Sequence, residues 1–514
     1  MSKTIIIIGA GLAGLSAALQ AAENGCNVKL VSSLPSERAQ SVMAEGGINA
    51  ALNTKDENDS PEEHFTDTIK AACGLADPNA VWGMTQAAPE LVHWLLKLGV
   101  KFNMSGYDDV DLRNFGGQKK KRTAFAQSDT GKQIMTAMID AVRRKEASGV
   151  VERFSHHSFL TLRLCGNICC GCVIRDEYSQ ETVELPGDAV IVATGGMHGL
   201  FGNTTGSLSN TGEVTAELFR LGVPLANGEM IQYHPTTVKC GGKRMLISEA
   251  ARGEGGRLFA MKDGKQWYFM EEKYPELGNL MPRDITAREI WKVSHESEVF
   301  LDMTEISEEI ISNKLSGLAD DCMTYLHKDI RKEPVSVLPG IHYFMGGILV
   351  DEQHRTPIQN LYAAGECCAQ YHGANRLGGN SLLGALYGGR VAAKSACEQA
   401  DVVDLSCATQ IDFPPASQIS EIKQLNKVMQ ETMGVVRNEN TLLNGIQTVQ
   451  ALTGNLPLLG MAVLKSALAR KESRGAHWRE DYPKSNDDDY LKTTVARFDG
   501  KQIQISFVPV PERR

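Results

Sequence analysis

The sequence predicts an α/β fold, in which a parallel-sheet domain is interrupted by an inserted α+β domain and followed by a helical domain. Three observations support this class. Thr4–Ile8 is an apolar run that leads into the turn Gly9–Gly14 and an Ala- and Leu-rich helix, the order that opens many parallel sheets. Asp188–Ala193 is a second buried-strand pattern that we expect to return to the same sheet. From about Ser417 the apolar residues recur at helical spacing.

Length and composition indicate a globular protein of roughly two to four domains, because 514 residues exceed what one hydrophobic core serves. The net charge of −9 argues against a nucleic-acid-binding protein, which usually carries a basic stripe. No apolar run reaches the ~18 residues that span a bilayer, so we expect another subunit to provide any membrane attachment. Twelve cysteines without a signal-peptide pattern predict a reducing, cytoplasmic compartment.

Changes in pattern along the chain predict the domain boundaries. We expect residues 1–229 and 344–410 to form the sheet domain and residues 230–343 to form the insertion. Residues 415–480 are predicted to form the helical domain, after a linker at Asp412–Pro415. Residues 481–514 are predicted to form a polar, extended tail.

The opening turn has the spacing of a dinucleotide-binding fingerprint in a Rossmann-like unit. Gly9 permits the tight turn, Gly11 lets the backbone approach a pyrophosphate, and Gly14 lets the helix pack closely on the strand. Ser32 and Ser33 stand where an NAD-binding protein carries an acidic residue for the ribose. The pattern therefore disfavours a simple NAD site and leaves FAD open.

Three other patterns have a structural interpretation beside a functional one. The pair Gly46–Gly47 suits a backbone that passes flat against a planar ring, and it equally suits an ordinary turn. The basic run Lys119–Arg122 is predicted to be solvated surface. Cysteines crowd between Cys165 and Cys172, but Gly166–Asn167 predicts a hairpin turn there, and the spacing does not match zinc sites, so no metal site is predicted.

The stretch from Gln232 to Arg257 gathers several reactive side chains among glycines. His234, Ser248, Glu249 and Arg252 supply an imidazole, a hydroxyl, a carboxylate and a guanidinium. This set suits an anionic substrate that must be held still and given a proton.

Each of these residues also has a plainer interpretation when taken alone. His234 can be a buried, hydrogen-bonded histidine, and Arg283–Asp284 can be a capping pair at a helix start. Glu249 and Arg252 can be an ordinary helical ion pair, which stabilises a helix by about 0.2–0.5 kcal/mol.

Further short motifs follow in order: Asn49–Ala51, Asp59–Pro61, Glu63–Phe65, Trp267–Phe269, Glu271–Pro275, Gly278–Leu280 and Gly365–Cys367. With these motifs the chain resembles, over nearly its whole length, the flavoprotein subunit of the succinate dehydrogenase and fumarate reductase family. The resemblance implies a Rossmann-like FAD-binding domain with an inserted capping domain, and the interconversion of fumarate and succinate.

The resemblance also implies roles for individual residues. It implies an FAD site formed by Gly9, Gly11, Gly14, Ser32, Ser33, Gln40, Ser41, Ala44, Gly46, Gly47, Thr194, Gly195, Glu213, Glu366, Ser381 and Leu382. It implies a clamp for a small dicarboxylate formed by His234, Ser248, His342 and Arg376. It implies that Arg283 is the proton donor, supported by Glu249 and Arg252.

Two departures from the family pattern change what we expect. Gln40 stands where covalent members attach the flavin through a histidine, and an amide cannot form that bond. We therefore expect non-covalent FAD with a lower reduction potential, which favours fumarate reduction. The helical region between Met433 and Arg474 is shorter than usual, and in the complexes of the family this region contacts the iron–sulfur subunit.

The sequence has no iron–sulfur ligand pattern of its own, so electrons must enter from elsewhere. The resemblance implies electron transport in anaerobic respiration or the tricarboxylic acid cycle, with an iron–sulfur subunit and a membrane anchor as partners at the inner face of the membrane. Two alternatives stay open: an L-aspartate oxidase-like enzyme and a non-catalytic, flavin-binding assembly subunit. The motifs His342–Gly347 and Gly365–Cys367 favour the succinate and fumarate branch.

Overall fold

The computed structural model describes residues 2–106, 109–401, 411, 413 and 418–514. The α-helices in this part of the chain are α1 (Leu12–Glu23), α2 (Pro61–Ala71), α3 (Pro78–Leu98), α4 (Thr130–Ala147), α5 (Glu213–Arg220), α6 (Glu249–Gly253), α7 (Phe269–Lys273), α8 (Arg283–Val293), α9 (Glu308–Lys314), α10 (Ser316–Asp321), α11 (Asn380–Gln399), α12 (Ile419–Thr432), α13 (Glu439–Val449), α14 (Asn455–Ala469) and α15 (Asp487–Tyr490).

The strands are β1 (Thr4–Ile8), β2 (Asn27–Ser32), β3 (Ile48–Asn49), β4 (Leu112–Arg113), β5 (Thr123–Ala124), β6 (Val151–Ser155), β7 (His157–Cys165), β8 (Ile168–Asp176), β9 (Thr182–Pro186), β10 (Ala189–Val192), β11 (Leu225–Ala226), β12 (Ile231–Cys240), β13 (Lys243–Leu246), β14 (Arg257–Lys262), β15 (Lys265–Trp267), β16 (Val299–Asp302), β17 (Val335–Ser336), β18 (Leu338–Phe344), β19 (Gly347–Leu349), β20 (Leu361–Ala363), β21 (Cys368–Ala369), β22 (Lys492–Phe498) and β23 (Ile503–Pro509).

The central sheet is parallel, with strand order β20-β10-β1-β2-β6. β1 and β10 are buried and apolar on both faces. One face packs against helices, where α1 contacts α11, and the other packs against the sheet β7-β8-β9. Ile8 at the end of β1 pairs with Val192 at the end of β10. The turns after these two strands therefore lie side by side, and the predicted return of the chain to the first strand is confirmed.

The predicted insertion contains two antiparallel sheets, β13-β12-β18 and β15-β14-β16-β17. The helix α8 packs against β12 and β18. The two regions have different apolar clusters: the one around Ile5 and Leu30 belongs to the central sheet, and the one around Leu258 and Leu301 belongs mostly to the inserted region. The domain boundaries themselves stay a prediction.

The C-terminal region is helical as predicted, and the tail that follows forms a β-hairpin. β22 and β23 are antiparallel, and β22 pairs with β11 in a sheet of order β21-β19-β11-β22-β23. The tail is extended, but it is part of a sheet with residues from the middle of the chain. The predicted linker, Asp412–Pro415, lies outside the described residues except for Phe413.

The predicted solvated surface at Lys119–Arg122 is wrong for its last residue. Arg122 is fully buried and forms ion pairs with Asp59, at 2.8 Å, and with Asp67, at 3.0 Å. A local run of basic residues cannot show which of them forms an ion pair with carboxylates that lie far away in the sequence.

Among the described helices, none combines the length and the apolar character that a bilayer-spanning helix needs.

The predicted hairpin in the cysteine-rich region is confirmed. β7 and β8 pair in antiparallel fashion around Gly166–Asn167, with Cys165 opposite Ile168. Cys169 and Cys172 are fully buried and belong to an apolar cluster, as the structural interpretation expects.

Candidate active site

A cavity of about 550 Å³ lies at the carboxyl ends of β1, β2 and β10, between the central sheet and the inserted region. The predicted site residues that line it are Gly9, Gly11, Ser32, Ser33, Gln40, Ser41, Ala44, Gly46, Gly47, Thr194, Gly195, Glu213, His234, Ser248, Glu249, Arg283, His342, Glu366, Arg376, Ser381 and Leu382. Gly14 and Arg252 do not line the cavity, but each contacts a residue that does: Gly14 packs against Gly9, and Arg252 pairs with Glu249. Residues far apart in the chain thus meet in one place.

The turn between β1 and α1 accepts only glycine at two positions. Gly9 has φ +111°, and a Cβ there would lie 2.2 Å from the Ala193 carbonyl oxygen. A Cβ on Gly14 would lie 1.8 Å from the Gly9 carbonyl oxygen, so Gly14 allows the predicted close packing of helix on strand. α1 begins at Leu12, and Gly11 and Leu12 both line the cavity. The helix N-terminus there favours a phosphate through its dipole and free N–H groups.

Ser32 and Ser33 line the cavity at the end of β2. The Ser32 hydroxyl is buried and has no hydrogen-bond partner among the described residues. An unpaired buried hydroxyl costs free energy, so this oxygen is suited to pair with a polar group of a ligand. On another wall Glu213 begins α5, and burial raises the pKa of its carboxyl.

The loop with Gly46 and Gly47 is held from behind by Arg113. Its guanidinium donates to the carbonyl oxygens of Glu45 and Gly46, the former at 3.1 Å, and it does not line the cavity. Gly47 has φ +131°, and a Cβ there would lie 2.5 Å from the Ala124 carbonyl oxygen. The glycine pair is therefore a rigid, close-packed wall of the cavity and not a simple exposed turn.

Gln40 lies in the cavity wall and connects two loops. Its Oε1 accepts a hydrogen bond from the backbone N–H of Ser207 at 2.6 Å. Ser207 belongs to residues 203–210, which we call the 203–210 loop. The side chain of Gln40 thus connects its own part of the cavity wall to the loop that approaches His342.

His234 and His342 lie on the adjacent antiparallel strands β12 and β18. Their rings are 5.1 Å apart between centroids, in a T-shaped arrangement. Burial, followed by the charge of Arg283, holds the pKa of each imidazole well below its usual value. Both rings are therefore neutral at pH 7, and each has one N–H to donate.

Arg283, Glu249 and Arg252 form a continuous buried network. The Glu249 Oε2 accepts from Arg283 Nε at 2.8 Å and from Nη2 at 2.6 Å, and Glu249 Oε1 lies 3.4 Å from Arg252 Nη2. Burial raises the pKa of Glu249, but the two guanidiniums outweigh it, so this pKa lies below its usual value. The helical ion pair of the plainer interpretation exists, and Arg283 extends it into the cavity instead of capping α8.

Arg283 and Arg376 converge on one oxygen. Arg283 Nη1 and Arg376 Nη2 each donate to Gln232 Oε1 at 3.0 Å, and Gln232 Nε2 donates back to the Arg376 carbonyl oxygen at 2.9 Å. Burial and the charge of Arg283 lower the pKa of Arg376 to about 9. The Arg376 guanidinium also lies 4.1 Å from the centre of the Tyr343 ring. Two cations are thus held side by side at the cavity, where an anion would stabilise both.

Ser248 caps the N-terminus of α6, and its Oγ accepts from the Ala250 N–H at 3.4 Å. The Glu45 carboxyl, which lines the cavity, lies near this hydroxyl. Glu45 Oε2 is buried without a partner among the described residues. Burial, and then the charge of Asp321, raise the pKa of Glu45 to about 8.

The comparisons with known proteins agree with this geometry. The model of the FAD binding domain family matches residues 4–382, and that of the fumarate reductase flavoprotein C-terminal family matches residues 452–513. The succinate dehydrogenase flavoprotein subunit of Bacillus subtilis is 38% identical, over 100% of this chain and 98% of its own. This chain belongs to the succinate dehydrogenase and fumarate reductase flavoprotein family.

Two further relatives extend the match. The 8-methylmenaquinol:fumarate reductase flavoprotein subunit of Wolinella succinogenes is 32% identical, over 100% of this chain and 92% of its own. A solved structure of a mutant FrdA protein of E. coli quinol fumarate reductase superposes with a TM-score of 0.90, at 27% identity. That match covers 99% of this chain and 97% of the other. The architecture of a sheet domain with an inserted region and C-terminal helices is therefore that of the family.

The flavoprotein is an FAD-dependent oxidoreductase, and its cavity fits FAD. The turn at Gly9 and Gly14 brings backbone and a helix N-terminus to the cavity, as a pyrophosphate requires. The unpaired Ser32 hydroxyl fits a polar group of the nucleotide, and Gly46–Gly47 lines the cavity with backbone that carries no side chain. These residues would hold the cofactor.

Sequence reasoning missed Gln232, Glu45, Thr205 and Arg113 as residues of the site. Gln232 had a signal, because it precedes His234 by two positions in a strand and so shares its face. Glu45 adjoins the glycine pair. No local signal marks Thr205 or Arg113, because their contacts lie far away in the chain.

Proposed function

We propose that this flavoprotein reduces fumarate to succinate, using FAD that is bound without a covalent bond. The observation that carries the proposal is the convergence of Arg283 and Arg376 on Gln232 Oε1, beside two neutral imidazoles and in the same cavity as the FAD residues. Among the described residues, the buried guanidiniums of Arg252 and Arg283 share one carboxylate, that of Glu249, and Arg376 lies beside them, so the excess positive charge favours a small dianion as the ligand.

The dicarboxylate clamp consists of His234, Ser248, His342 and Arg376. The Arg376 guanidinium grips one carboxylate with two parallel hydrogen bonds, and the imidazoles donate from other directions. The Ser248 hydroxyl completes the clamp. Bound FAD supplies the hydride that the reaction needs at one alkene carbon. Negative charge then develops on the other carbon and its carboxylate, where these donors stabilise it.

Arg283 donates the proton to that second carbon. A guanidinium normally stays protonated, with a pKa above ~12, but a carbanion beside a carboxylate is a stronger base than that. Glu249 accepts two hydrogen bonds from Arg283 and lies next to Arg252, so the two return a proton to Arg283. The sum is one hydride and one proton added across the double bond.

The absence of a covalent bond follows from Gln40, whose amide cannot form the histidyl link of covalent members. A flavin without that link has a lower reduction potential, which favours giving electrons to fumarate over taking them from succinate. We expect acid precipitation of the purified protein to leave the yellow flavin in the supernatant. Flavin that stays with the precipitated protein would contradict this part of the proposal.

We infer that the flavoprotein works as one subunit of a complex at the inner face of the cytoplasmic membrane. The sequence has no iron–sulfur ligand pattern, so an iron–sulfur subunit would deliver the electrons and a membrane anchor would hold the complex. The relatives above carry the word subunit in their names, which supports this arrangement. Purification from the native source, with identification of co-eluting chains, tests it.

The proton-donor assignment is tested by Arg283→Lys. A lysine keeps the positive charge but loses the hydrogen bonds to Glu249 and Gln232, so we expect fumarate-dependent oxidation of reduced viologen to fall by at least ~10²-fold. The FAD content should stay at the wild-type level, because the cofactor residues are untouched. Arg288→Lys is the matched control, since Arg288 lies on the same helix, stacks on Trp478 and does not line the cavity.

The outcomes separate the alternatives. Wild-type activity in Arg283→Lys would remove the proton-donor assignment. Peroxide release with L-aspartate, without viologen oxidation by fumarate, would point instead to an L-aspartate oxidase-like enzyme. A wild-type protein that holds FAD but has neither activity would be the non-catalytic assembly subunit.

A further inference from the structure

The 203–210 loop touches the proposed clamp through one hydroxyl that the fumarate reaction above does not use. Thr205 Oγ1 lies 2.8 Å from His342 Nδ1, and the Thr205 backbone N–H donates to the Ile341 carbonyl oxygen at 2.9 Å. Thr205 also lines the cavity. The residue is thus held by its backbone and its side chain against the strand that carries His342.

A neutral imidazole has one proton and two nitrogens, and the partner of one nitrogen decides which of them carries it. Arg283 and Arg376 lie near His342, and with burial they keep this ring neutral. The charged and titratable groups around this ring are the cations Arg283 and Arg376 and the imidazoles of His198 and His234. Two carboxylates contact these groups: Glu249 accepts from Arg283 at 2.6 Å, and Glu366 Oε1 lies 3.6 Å from His198 Nε2.

We propose that Thr205 is a positioning residue that donates its hydroxyl proton to His342 Nδ1 and so keeps the ring proton on Nε2. This inference rests on the proposed function, because the Nε2–H then donates to a substrate carboxylate. In the opposite tautomer an Nε2 lone pair would face that carboxylate and repel it. The clamp then depends on Thr205, an uncharged residue that acts through His342.

Gln40 holds the loop that carries Thr205. Its Oε1 accepts from the Ser207 N–H, two residues beyond Thr205. Thr204 anchors the same loop by accepting from the Gly206 N–H at 3.2 Å and by contacting His198 Nδ1 at 3.0 Å. The residue that stands in place of the covalent histidine therefore supports the orientation of His342, which is a second role beside the cofactor.

The decisive variants are Thr205→Val and Thr205→Ser. Valine keeps the shape and removes the hydroxyl, so we expect the KM for fumarate to rise about tenfold, with kcat within about threefold of wild type. Serine keeps the hydroxyl and should restore the wild-type KM. The dissociation constant of succinate, measured on the holoenzyme through the perturbation of flavin absorbance, should change in parallel.

A double variant tests the part played by Gln40. If Gln40 acts through Thr205, then Gln40→Ala combined with Thr205→Val should raise the KM no further than Thr205→Val alone. If the two substitutions instead raise the KM by independent factors that multiply in the double variant, in samples matched for FAD content, Gln40 does not act through Thr205 and this part of the proposal is wrong.

The result that would overturn the role of Thr205 is an unchanged KM and dissociation constant in Thr205→Val, or a serine variant as impaired as the valine variant. In both cases wild type would still oxidise viologen with fumarate. Failure of the proposed function looks different, because wild type itself would then lack that activity.

Discussion

Glu45 shows how one side chain can make this molecule sensitive to pH. Its carboxyl lies near the Ser248 hydroxyl, with Arg113 as the nearby cation and Asp321 and Asp129 as nearby anions. Burial is the largest effect, and the pKa rises to about 8, compared with 4.5 for an exposed glutamate. The folded protein therefore binds this proton more tightly than the unfolded chain does between these two pH values.

We predict that Glu45→Gln removes a loss of stability at high pH. Because the folded-state pKa is raised, wild type loses stability as the pH rises from about 4.5 to 8, and the loss levels off above 8. The glutamine variant should gain in melting temperature relative to wild type at pH 8 and gain little at pH 5. Thermal melts of the apoproteins at both pH values measure this.

Glu181→Gln is the control for this change, since Glu181 is exposed and should show no such difference between the two pH values. An equal effect of Glu45→Gln at pH 5 and pH 8 would mean that the carboxyl is ionised in the folded state throughout.

At the level of residues, the sequence could identify side chains in motifs, but not those that act through distant contacts. His234, Glu249 and Arg252 lie close together in the chain, and their chemistry could be read there. Gln232 and Thr205 act through contacts that cross 51 and 137 positions, with Arg283 and His342 respectively. No local pattern contains that information.

Among the elements, α1 can pack closely against β1 because Gly14 has no Cβ atom. Gly14 brings the helix against the strand before it, with the position of its missing Cβ only 1.8 Å from the Gly9 carbonyl oxygen. A methyl group there must push α1 away from β1 and so change the turn that lines the cavity.

We predict that Gly14→Ala lowers both the FAD content and the melting temperature of the purified protein. The cost comes from moving backbone, which cannot relax as a flexible side chain can. Gly242→Ala is the matched control, because a Cβ there has no neighbour within 4 Å. Full FAD occupancy in Gly14→Ala would show that the helix does not need this close approach.

Elements with a local signature could be predicted, while their partners could not. β1, α1 and α11 follow from apolar runs and small-residue helices. The pairing of β22 with β11, which places Ala496 opposite Leu225, has no such signature. In the sequence the tail shows only the alternation of polar and apolar residues that is typical of an extended strand. That alternation carries no information about which distant strand the tail pairs with.

For the whole molecule, Arg470 joins the helical region to the sheet domain and the tail. It is fully buried and contacts Glu229 at 2.7 Å and Glu472 at 2.8 Å. It also donates to the Lys492 carbonyl oxygen and to the Thr494 hydroxyl, both at 2.7 Å. One guanidinium at the end of α14 is thus bonded both to Glu229 and to β22.

We predict that Arg470→Met lowers the free energy of unfolding by about 3–5 kcal/mol, because it leaves the buried Glu229 carboxylate without its cation, while Glu472 keeps Arg474. Arg497→Met, on the exposed face of β22, should change it by no more than about 0.5 kcal/mol. Chemical denaturation of both variants beside wild type measures the difference. Equal stability of the two would mean that the buried network is neutral for folding.

The support behind Arg376 comes from the far end of the chain. The Ala476 N–H donates to the Ala374 carbonyl oxygen at 2.9 Å, and Gly475 packs against the same residue. During synthesis on the ribosome, the segment with Arg376 therefore emerges long before the residues that brace it. A nascent chain can build the turn after its first strand early, but it cannot complete the surroundings of Arg376 until residues 475 and 476 have been translated.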